Sequence, residues 1–222
     1  MEKIVKIIEI EKLTHDVLRI VTEKPKNFIY EPGQATDVTI NQSEWKDKLN
    51  AFTFTSLPSE NYLEFTIKTY PSHKGMTNQL LHLKKNDELI LHDVFGDIGY
   101  KGEGIFIAGG AGVTPFIAIL RDLESKGKVG SNKLIFANKT KGDVIHEQFF
   151  KKLLNDNFIS VLSEEDISGH EHGFISEILL KKYINNSSTY IYVCGPPAMM
   201  DAIEAILLKL GVKADFIVKE AF

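Results

Sequence analysis

Apolar and polar residues alternate in short segments along the first hundred residues of the chain. Six segments show the period-two pattern of half-buried strands, and turns rich in Pro, Gly, Asn and Asp separate them. They read KIVKIIEI, VLRIVTEK, QATDVTIN, AFTFTSLP, YLEFTIKTY and DELILHDV. One amphipathic segment among them, MTNQLLHLKK, predicts a helix. Six short strands at this spacing predict a small antiparallel barrel over residues 1–101.

The pattern changes after residue 101, where apolar strands begin to alternate with amphipathic helices. The predicted strands are GIFIAG, NKLIFAN, FISVLS, TYIYVCG and ADFIVKEAF. The predicted helices are PFIAILRDLESK, HEQFFKKLLND, FISEILLKKYI and PAMMDAIEAILLKLG. This order predicts a doubly wound parallel sheet over residues 102–222, with ligands at the carboxyl ends of its strands. Because no low-complexity linker separates the halves, we expect the two domains to pack directly.

Composition excludes several classes of function. The chain has 222 residues, 43% of them hydrophobic and 25% charged, and a net charge of −4, so neither nucleic acid nor an anionic membrane is favoured as a partner. The N-terminus lacks the apolar core of a signal peptide, and no apolar run is long enough to span a membrane. The sequence therefore predicts a cytoplasmic protein with no membrane span.

The count of metal-binding side chains also restricts the chemistry. The single cysteine, Cys194, excludes an internal disulfide, a four-cysteine zinc site and a cysteine-ligated iron–sulfur cluster within this chain. His170 and His172 flank a glutamate in a polar segment, and we interpret them as a solvated loop. No metal site is predicted.

Two special turns follow apolar strands of the second half. In IFIAGGAGVTPFIAIL, residues 105–120, a strand runs into Gly109, Gly110 and Gly112 before a helix whose first turn contains Pro115. Such glycines can serve tight packing alone, or they can bring backbone N–H groups close to an anion at a helix start. The second turn, CGPP, follows a later strand. Both turns are expected at one edge of the sheet, which favours a binding site there over packing alone.

The barrel, the parallel domain, and the motifs GGAGVTP and CGPPAMM together resemble the ferredoxin–NADP reductase superfamily, which includes the cytochrome b5 and flavodoxin reductases. The resemblance covers essentially the whole chain and includes five motifs in order. It implies a flavin-binding barrel followed by a nicotinamide nucleotide-binding domain. It also implies an NAD(P)H-dependent flavoprotein reductase that passes electrons to a small protein acceptor of the flavodoxin, ferredoxin or cytochrome type.

Three of the five motifs lie in the barrel and imply flavin contacts. NAFTFTS matches a motif in which an aromatic residue, here Phe52, stacks on the flavin and a hydroxyl, here Thr53, lies near flavin N5. The resemblance implies FAD as the cofactor. Asn50 stands where the family has an arginine that holds the pyrophosphate, and this departure leaves FMN as the alternative. The other two motifs, TIKTY and KGMTNQL, imply cofactor contacts for these residues: Lys68, Tyr70, Gly75, Met76 and Thr77. Thr77 is also predicted to be the N-cap of its helix.

The remaining motifs imply the nicotinamide nucleotide site. The resemblance places Gly110, Gly112 and Thr114 near the pyrophosphate and nicotinamide. It places Cys194, with Gly195 and Pro196, near the reacting carbon, so Thr53 and Cys194 are the implied catalytic residues. Asp143, in FANKTKGDV, corresponds to an acidic residue that meets the adenosine ribose and disfavours NADPH, whereas Lys139 and Lys141 favour it. NADH is the expected substrate, and NADPH stays open. The terminal Phe222 could cover the flavin.

Two other functions remain compatible with the sequence. The chain could be an electron-transfer subunit of a larger complex, although the cysteine-rich cluster of some such subunits is missing from this sequence. It could also be a non-catalytic binding module on a degenerate reductase fold, because Asn50 replaces a charged cofactor ligand. Bound flavin and its reduction by a nicotinamide nucleotide would distinguish a reductase from a binding module.

Overall fold

The structure, a computed structural model, describes residues 2–70, 72–184 and 186–220. Its first six strands form one antiparallel sheet in the order β4-β3-β6-β1-β2-β5. They are β1 (Lys3–Lys12), β2 (Val17–Glu23), β3 (Ala35–Ile40), β4 (Asn50–Thr53), β5 (Tyr62–Lys68) and β6 (Glu88–Phe95). A bridge between Phe54 and Phe65 links the two edges of the sheet. The predicted six-stranded antiparallel barrel is therefore confirmed.

Alternate apolar residues of these strands fill the inside of the barrel. In β1, Val5 and Ile7 are buried while their neighbours in the strand are exposed, as the period-two pattern requires. Aromatic rings occupy the middle of this core, where Phe54 lies 4.3 Å from Tyr30 and 5.3 Å from Phe65, measured between ring centroids. Each buried ring of this kind stabilises the fold by roughly 1.5–3 kcal/mol.

The helix predicted within the barrel domain is much shorter than its sequence pattern. It consists of α1 (Met76–Gln79), followed by a 3-10 turn at Leu80–His82. The N-cap residue is Gly75, which has no side chain with which to bond the first-turn amides, and the chain becomes extended again at Leu83. Thr77 lies inside the helix, so the prediction that it is the N-cap is wrong.

The second half of the chain forms a six-stranded sheet in the order β10-β9-β8-β7-β11-β12, and every adjacent pair of strands is parallel. Its strands are β7 (Gly104–Gly109), β8 (Lys133–Asn138), β9 (Phe158–Leu162), β10 (Glu171–His172), β11 (Tyr190–Cys194) and β12 (Ile217–Lys219). Its helices are α2 (Thr114–Ser125), α3 (Glu147–Leu154), α4 (Glu177–Lys181) and α5 (Pro197–Lys209). The predicted doubly wound parallel domain is confirmed.

Each face of the parallel sheet has its own apolar core. One core packs α2 and α3 against Phe106 and Phe136, and the other packs α4 and α5 against Ile107 and Ile135. The first core also contains Val17, from a barrel strand. The two sheets therefore share buried side chains and pack directly against each other, as their short connection suggests: β6 ends at Phe95 and β7 begins at Gly104. In the described part of the chain, no helix combines the length and apolarity that crossing a bilayer demands.

Candidate functional site

The two special turns pack against each other at the carboxyl ends of β7 and β11. These strands are neighbours, and Cys194 pairs with Ala108 at their ends. A Cβ on Gly112 would clash with the carbonyl oxygen of Cys194, and a Cβ on Gly195 would lie 2.7 Å from the terminal methyl of Met199. Turn-to-turn packing therefore requires Gly112, whether or not a ligand binds, whereas a Cβ on Gly195 would lie 3.1 Å from the backbone nitrogen of Gly109 in the other turn.

Gly110 differs from its neighbours because packing does not explain it. Its φ is +51°, and no heavy atom of the described residues lies within 4 Å of the place where a Cβ would be. The hydroxyl of Thr114 donates to the carbonyl oxygen of Ala111 at 3.1 Å, which closes the turn, and Pro115 lies in the first turn of α2 as predicted. The turn also contacts β5 of the barrel. Bare backbone thus faces open space beside the barrel.

Cys194 is fully buried at the end of β11. Burial, followed by the nearby Glu220, raises the pKa of its thiol to about 12. The side chain is therefore a neutral thiol at physiological pH, and thiolate chemistry does not operate at this position. Pro196, which the sequence also assigned to the site, is exposed and is the N-cap residue of α5.

Glu220 joins this site although the sequence analysis did not single it out. Its carboxylate accepts a hydrogen bond from the backbone N–H of Asp97 at 3.3 Å, so it links the chain end to the segment between the two sheets. Burial raises the pKa of Glu220 above its ordinary value. The only sequence signal was one acidic residue after the apolar run of the last strand. Phe222 lies outside the described residues.

The barrel residues of the first motif lie along β4. Asn50 begins this strand and pairs with Val38 of β3, while Thr53 ends it and is 6% exposed. Phe52 is half-buried and packs at the margin of the barrel core. Thr53 therefore lies in a nearly dry position at the end of the strand, and Phe52 precedes it at the margin of the core.

Lys68 and Tyr70 lie at the end of β5, and the structure gives Lys68 a partner that the sequence did not suggest. Lys68 Nζ is 2.8 Å from Asp16 Oδ2, within the turn that joins β1 to β2. The Tyr70 ring is 44% exposed and stacks on His73 with 5.6 Å between the ring centroids. Asp16 therefore competes with any anionic ligand for the Lys68 ammonium group.

The third barrel motif places three predicted residues at the start of α1. Met76 is buried in the barrel core, whereas Thr77 is half-buried. Among the residues that the structure describes, none comes within 4 Å of the place where a Cβ on Gly75 would be. Met76 therefore has a packing role of its own, and the open backbone of the motif is at Gly75.

Asp143 is buried rather than solvated, in contrast to the exposed loop that its polar surroundings suggest. Its carboxylate accepts hydrogen bonds from the N–H of Thr140 at 2.8 Å and from the Thr140 hydroxyl at 2.7 Å. Burial by itself raises the pKa of Asp143, but the bonds from Thr140, together with Lys68 and His15, outweigh it and the pKa is lowered. Asp143 therefore caps its own turn and keeps its negative charge.

Asp143 also meets the barrel across the domain interface. His15 Nε2 lies 3.7 Å from Asp143 Oδ1 and 3.7 Å from Asp16 Oδ2. These three residues have the ligand types of a metal site, but the Lys68 ammonium already supplies a positive charge to Asp16. The cluster is therefore a polar contact between the domains, and no sequence motif indicates that His15 and Asp16 belong to it.

The structure corrects the interpretation of one of the two histidines in the HEH segment. His172 is exposed, as expected, and lies in β10. The side chain of His170 is 2% exposed, and its Nε2 lies 3.5 Å from Glu147 Oε1 on α3. Burial lowers the pKa of His170, so its imidazole is neutral at physiological pH. The prediction that His170 lies in a solvated loop is wrong, because α3 covers it.

Comparison with known families matches both domains. Residues 2–114 match the model of an FAD-binding domain, and residues 106–205 match the model of an oxidoreductase NAD-binding domain. The reductase component of propane 2-monooxygenase from Mycolicibacterium goodii is 27% identical, over 97% of this chain and 66% of that protein. NADH-cytochrome b5 reductase 2 from Mycosarcoma maydis is 29% identical, over 95% of this chain and 70% of that protein. The chain spans about two thirds of the length of these curated relatives.

Solved structures share the whole fold at low sequence identity. A ferredoxin NADP+ reductase from Neisseria gonorrhoeae, with bound FAD and NADP, superposes with a TM-score of 0.84 at 17% identity, over 99% of this chain and 98% of that chain. The cytochrome b5 reductase domain of Ulva prolifera nitrate reductase gives a TM-score of 0.84 at 19% identity, over 99% and 97% of the two chains. At these identities the likeness establishes the fold.

Proposed function

The chain belongs to the ferredoxin–NADP reductase and cytochrome b5 reductase family, with its FAD-binding and oxidoreductase NAD-binding domains, and from this premise we propose that it is an NAD(P)H-dependent flavoprotein reductase. It takes a hydride from a nicotinamide nucleotide and passes electrons singly to a small protein acceptor. The FAD-binding and NAD-binding assignments made from the sequence are confirmed by the two family models.

The arrangement of the two glycine turns is the observation that carries this proposal. Gly112 and Gly195 allow the turns to touch, while Gly110 leaves backbone open at the same edge of the sheet. The edge lies beside β5 of the barrel, so a nucleotide bound there would reach the domain that is expected to hold the flavin. A parallel sheet binds its nucleotide at this carboxyl edge, where the first turns of helices offer free N–H groups.

The residues on the barrel side fit a flavin with one exception. Phe52 is a half-buried ring, the next residue of the strand, Thr53, is buried, and the backbone at Gly75 is open. Asn50 offers an uncharged amide for the pyrophosphate, and the ammonium of Lys68 is already paired with Asp16. A bound FAD supplies the chemistry that the side chains lack, because it accepts two electrons and releases them one at a time.

The protein's own groups would orient the reactants and keep the site dry. The Thr53 hydroxyl is fixed at the end of β4 and would donate a hydrogen bond towards the flavin. The thiol of Cys194 is neutral, so it would act as a small packing surface under the nicotinamide and not as a nucleophile. Glu220 accepts a hydrogen bond from the Asp97 N–H near the same turn and would help to hold that edge of the site in place.

We propose NADH as the preferred nucleotide. Asp143 keeps its charge because its pKa is lowered, and Lys139 Nζ lies 3.1 Å from Glu164 Oε1. The loop after β8 therefore places an anion and a lysine paired with Glu164 beside the exposed Lys141, and the anion opposes a 2′-phosphate. In the variant Asp143→Thr, the ratio of kcat/KM for NADPH to that for NADH should rise by about fivefold, worth about 1 kcal/mol. An unchanged ratio would remove Asp143 from the specificity site.

Anaerobic reduction of the purified holoprotein tests the proposed activity directly. Mixing with NADH should bleach the visible absorbance of the bound flavin, and a one-electron acceptor such as ferricyanide should restore it. A flavin that neither NADH nor NADPH reduces would refute the reductase assignment and leave the binding module. Protein that binds no flavin would refute it as well.

Ligand binding tests the effect of Asn50, which stands where the family has an arginine. The variant Asn50→Arg should bind FAD more tightly by about 1.5–3 kcal/mol, the value of a hydrogen bond to a charged group, with no gain for riboflavin. Titration of the apoprotein with FAD, FMN and riboflavin gives the three affinities. Equal FAD affinity in parent and variant would mean that Asn50 does not face the pyrophosphate.

The kinds of relatives that match this chain support a second candidate function with the same chemistry. The matched relatives include reductase components of oxygenase systems, and this chain spans about two thirds of their length. The chain would then deliver electrons within a multi-component system, at a cytoplasmic location. Co-purification of a tagged chain with one stoichiometric oxygenase partner from the soluble fraction would support this; recovery of the chain alone or with membranes would oppose it.

A further inference from the structure

The side chain of Arg121 reaches from α2 into the barrel. Its Nη1 donates to the carbonyl oxygen of Thr55 at 2.7 Å and lies 3.4 Å from Glu64 Oε1. Its Nη2 donates to Glu60 Oε1 at 2.8 Å. The Arg121 side chain is only 24% exposed and Glu64 is 5% exposed, so these bonds cross a largely dry interface between the domains.

Both ends of this contact lead to the proposed reaction site. Thr114, in the glycine turn, precedes Arg121 by seven residues, which is about two helical turns or about 10 Å along α2. On the barrel side, Thr55 follows Thr53 by two residues in the same extended segment. One guanidinium group thus connects the nucleotide turn to the strand that is expected to carry the flavin contact.

Hydrogen bonds within the barrel restrain the position of Thr55. The Thr55 N–H donates to the carbonyl oxygen of Glu64 at 2.8 Å, and the Thr55 hydroxyl donates to Glu64 Oε1 at 3.0 Å. The planar fork of arginine fixes several acceptors in one geometry, which a lysine ammonium does not do. Movement of α2 relative to the barrel would therefore have to break the Arg121 bonds.

We propose that Arg121 is a positioning residue, which sets the separation between the glycine turn at the start of α2 and Thr53 at the end of β4. It thereby aligns the nicotinamide with the flavin for hydride transfer, without itself contacting either cofactor. This inference rests on the reductase function proposed above. Misalignment by about 1 Å costs as much as a hundredfold in rate, so the effect should be on the transfer step and not on binding.

Arg19 provides a matched control because it binds the same carboxylate from within the barrel. Its Nε donates to Glu64 Oε2 at 2.7 Å, and its Nη1 donates to Glu9 and Glu11 at 3.0 Å each. Removal of either arginine leaves Glu64 with the other one, so both variants should fold. Only loss of Arg121 removes a bond between the domains.

The experiment compares the FAD-loaded parent with Arg121→Met and Arg19→Met. In stopped flow at saturating NADH, Arg121→Met should reduce the flavin ten- to a hundredfold more slowly, with the dissociation constants for NADH and FAD within about threefold of the parent. Arg19→Met should lower the melting temperature but leave the reduction rate within about twofold. Arg121→Lys and Glu60→Gln weaken the same contact and are measured if Arg121→Met is insoluble.

A second readout reports geometry without any turnover. Spin labels on Asn61→Cys of the barrel and Lys152→Cys of α3 occupy exposed positions, while Cys194 is buried and escapes labelling. The distance distribution between the labels should broaden or shift in Arg121→Met and match the parent in Arg19→Met. Parent-like distances and rates in Arg121→Met would overturn the proposal, as would equal slowing in both variants. Failure of NADH to reduce the parent would instead refute the function.

Discussion

The variant Gly112→Ala tests the packing of the two turns. A Cβ at this position would meet the carbonyl oxygen and carbon of Cys194 and the backbone nitrogen of Gly195. All three obstacles are backbone atoms, so no change of side-chain rotamer relieves the clash. Overpacking costs about 1–3 kcal/mol, and a backbone obstacle places this variant near the upper end, at about 3 kcal/mol.

Two other glycines calibrate this value. Gly110→Ala creates no clash with the described part of the chain, but its φ of +51° is left-handed and costs roughly 1 kcal/mol for a residue with a Cβ. A Cβ on Gly142 would lie 3.7 Å from Thr140 Oγ1, an ordinary contact, so Gly142→Ala should be neutral within about 0.5 kcal/mol. The expected order of melting temperatures is therefore Gly142→Ala, then Gly110→Ala, then Gly112→Ala.

Thermal unfolding by circular dichroism measures the three variants against the parent. For a chain of this size, about 1 kcal/mol lowers the melting temperature by roughly 2–4 °C, so Gly112→Ala should melt about 6–12 °C below the parent. Flavin reduction by NADH should also be slower in Gly112→Ala than in Gly110→Ala, because the clash separates the two turns. A melting temperature within about 2 °C of Gly142→Ala would refute the turn-to-turn contact.

Four further predictions concern single residues of the site. Because the pKa of Cys194 is raised to about 12, iodoacetamide at pH 8 should label the thiol in urea but not in the native protein; rapid native labelling would contradict its burial. The unfolded thiol ionises first as pH rises, so stability should fall above about pH 9 in the parent but less in Cys194→Ala. Because the pKa of Asp143 is lowered, its ionised carboxylate stabilises the fold above about pH 4, and this stabilisation is lost as the pH falls further. The free energy of unfolding, measured with denaturant, should therefore decline less in acid for Asp143→Asn than for the parent. Parallel curves would argue against the Thr140 contact. Thr53→Ala should keep the fold and slow flavin reduction about ten- to a hundredfold in stopped flow, and unchanged kinetics would remove its role at the flavin.

Much of the fold was readable from the sequence because its signals are local. The alternation of β1, β2 and β5, and the apolar runs of β7 and β11, each occupy a few consecutive residues and predicted the correct strands. Helix lengths were less predictable. The segment MTNQLLHLKK gave only α1 and a 3-10 turn, because no side chain caps it and the chain turns extended at Leu83.

Candidate site residues were readable only where a motif marks them. The glycine turns and the NAFTFTS strand stand out as short patterns, and the cofactor roles assigned to their residues remain predictions. Glu220, His15 and Asp16 gave no such signal, since each is a single polar residue in an ordinary context. Their importance comes from partners that are far away in the sequence.

The sequence by itself determined the two domains, their order and the two glycine turns, because periodicity and turn chemistry act between near neighbours in the chain. Only the tertiary structure decided what those elements touch. It placed Gly112 against the Cys194 carbonyl group, Asp143 beside His15 of the barrel, and Arg121 on Thr55, across 66 residues of sequence. Such contacts arise because burial brings distant polar groups together, and each buried group must then find a partner.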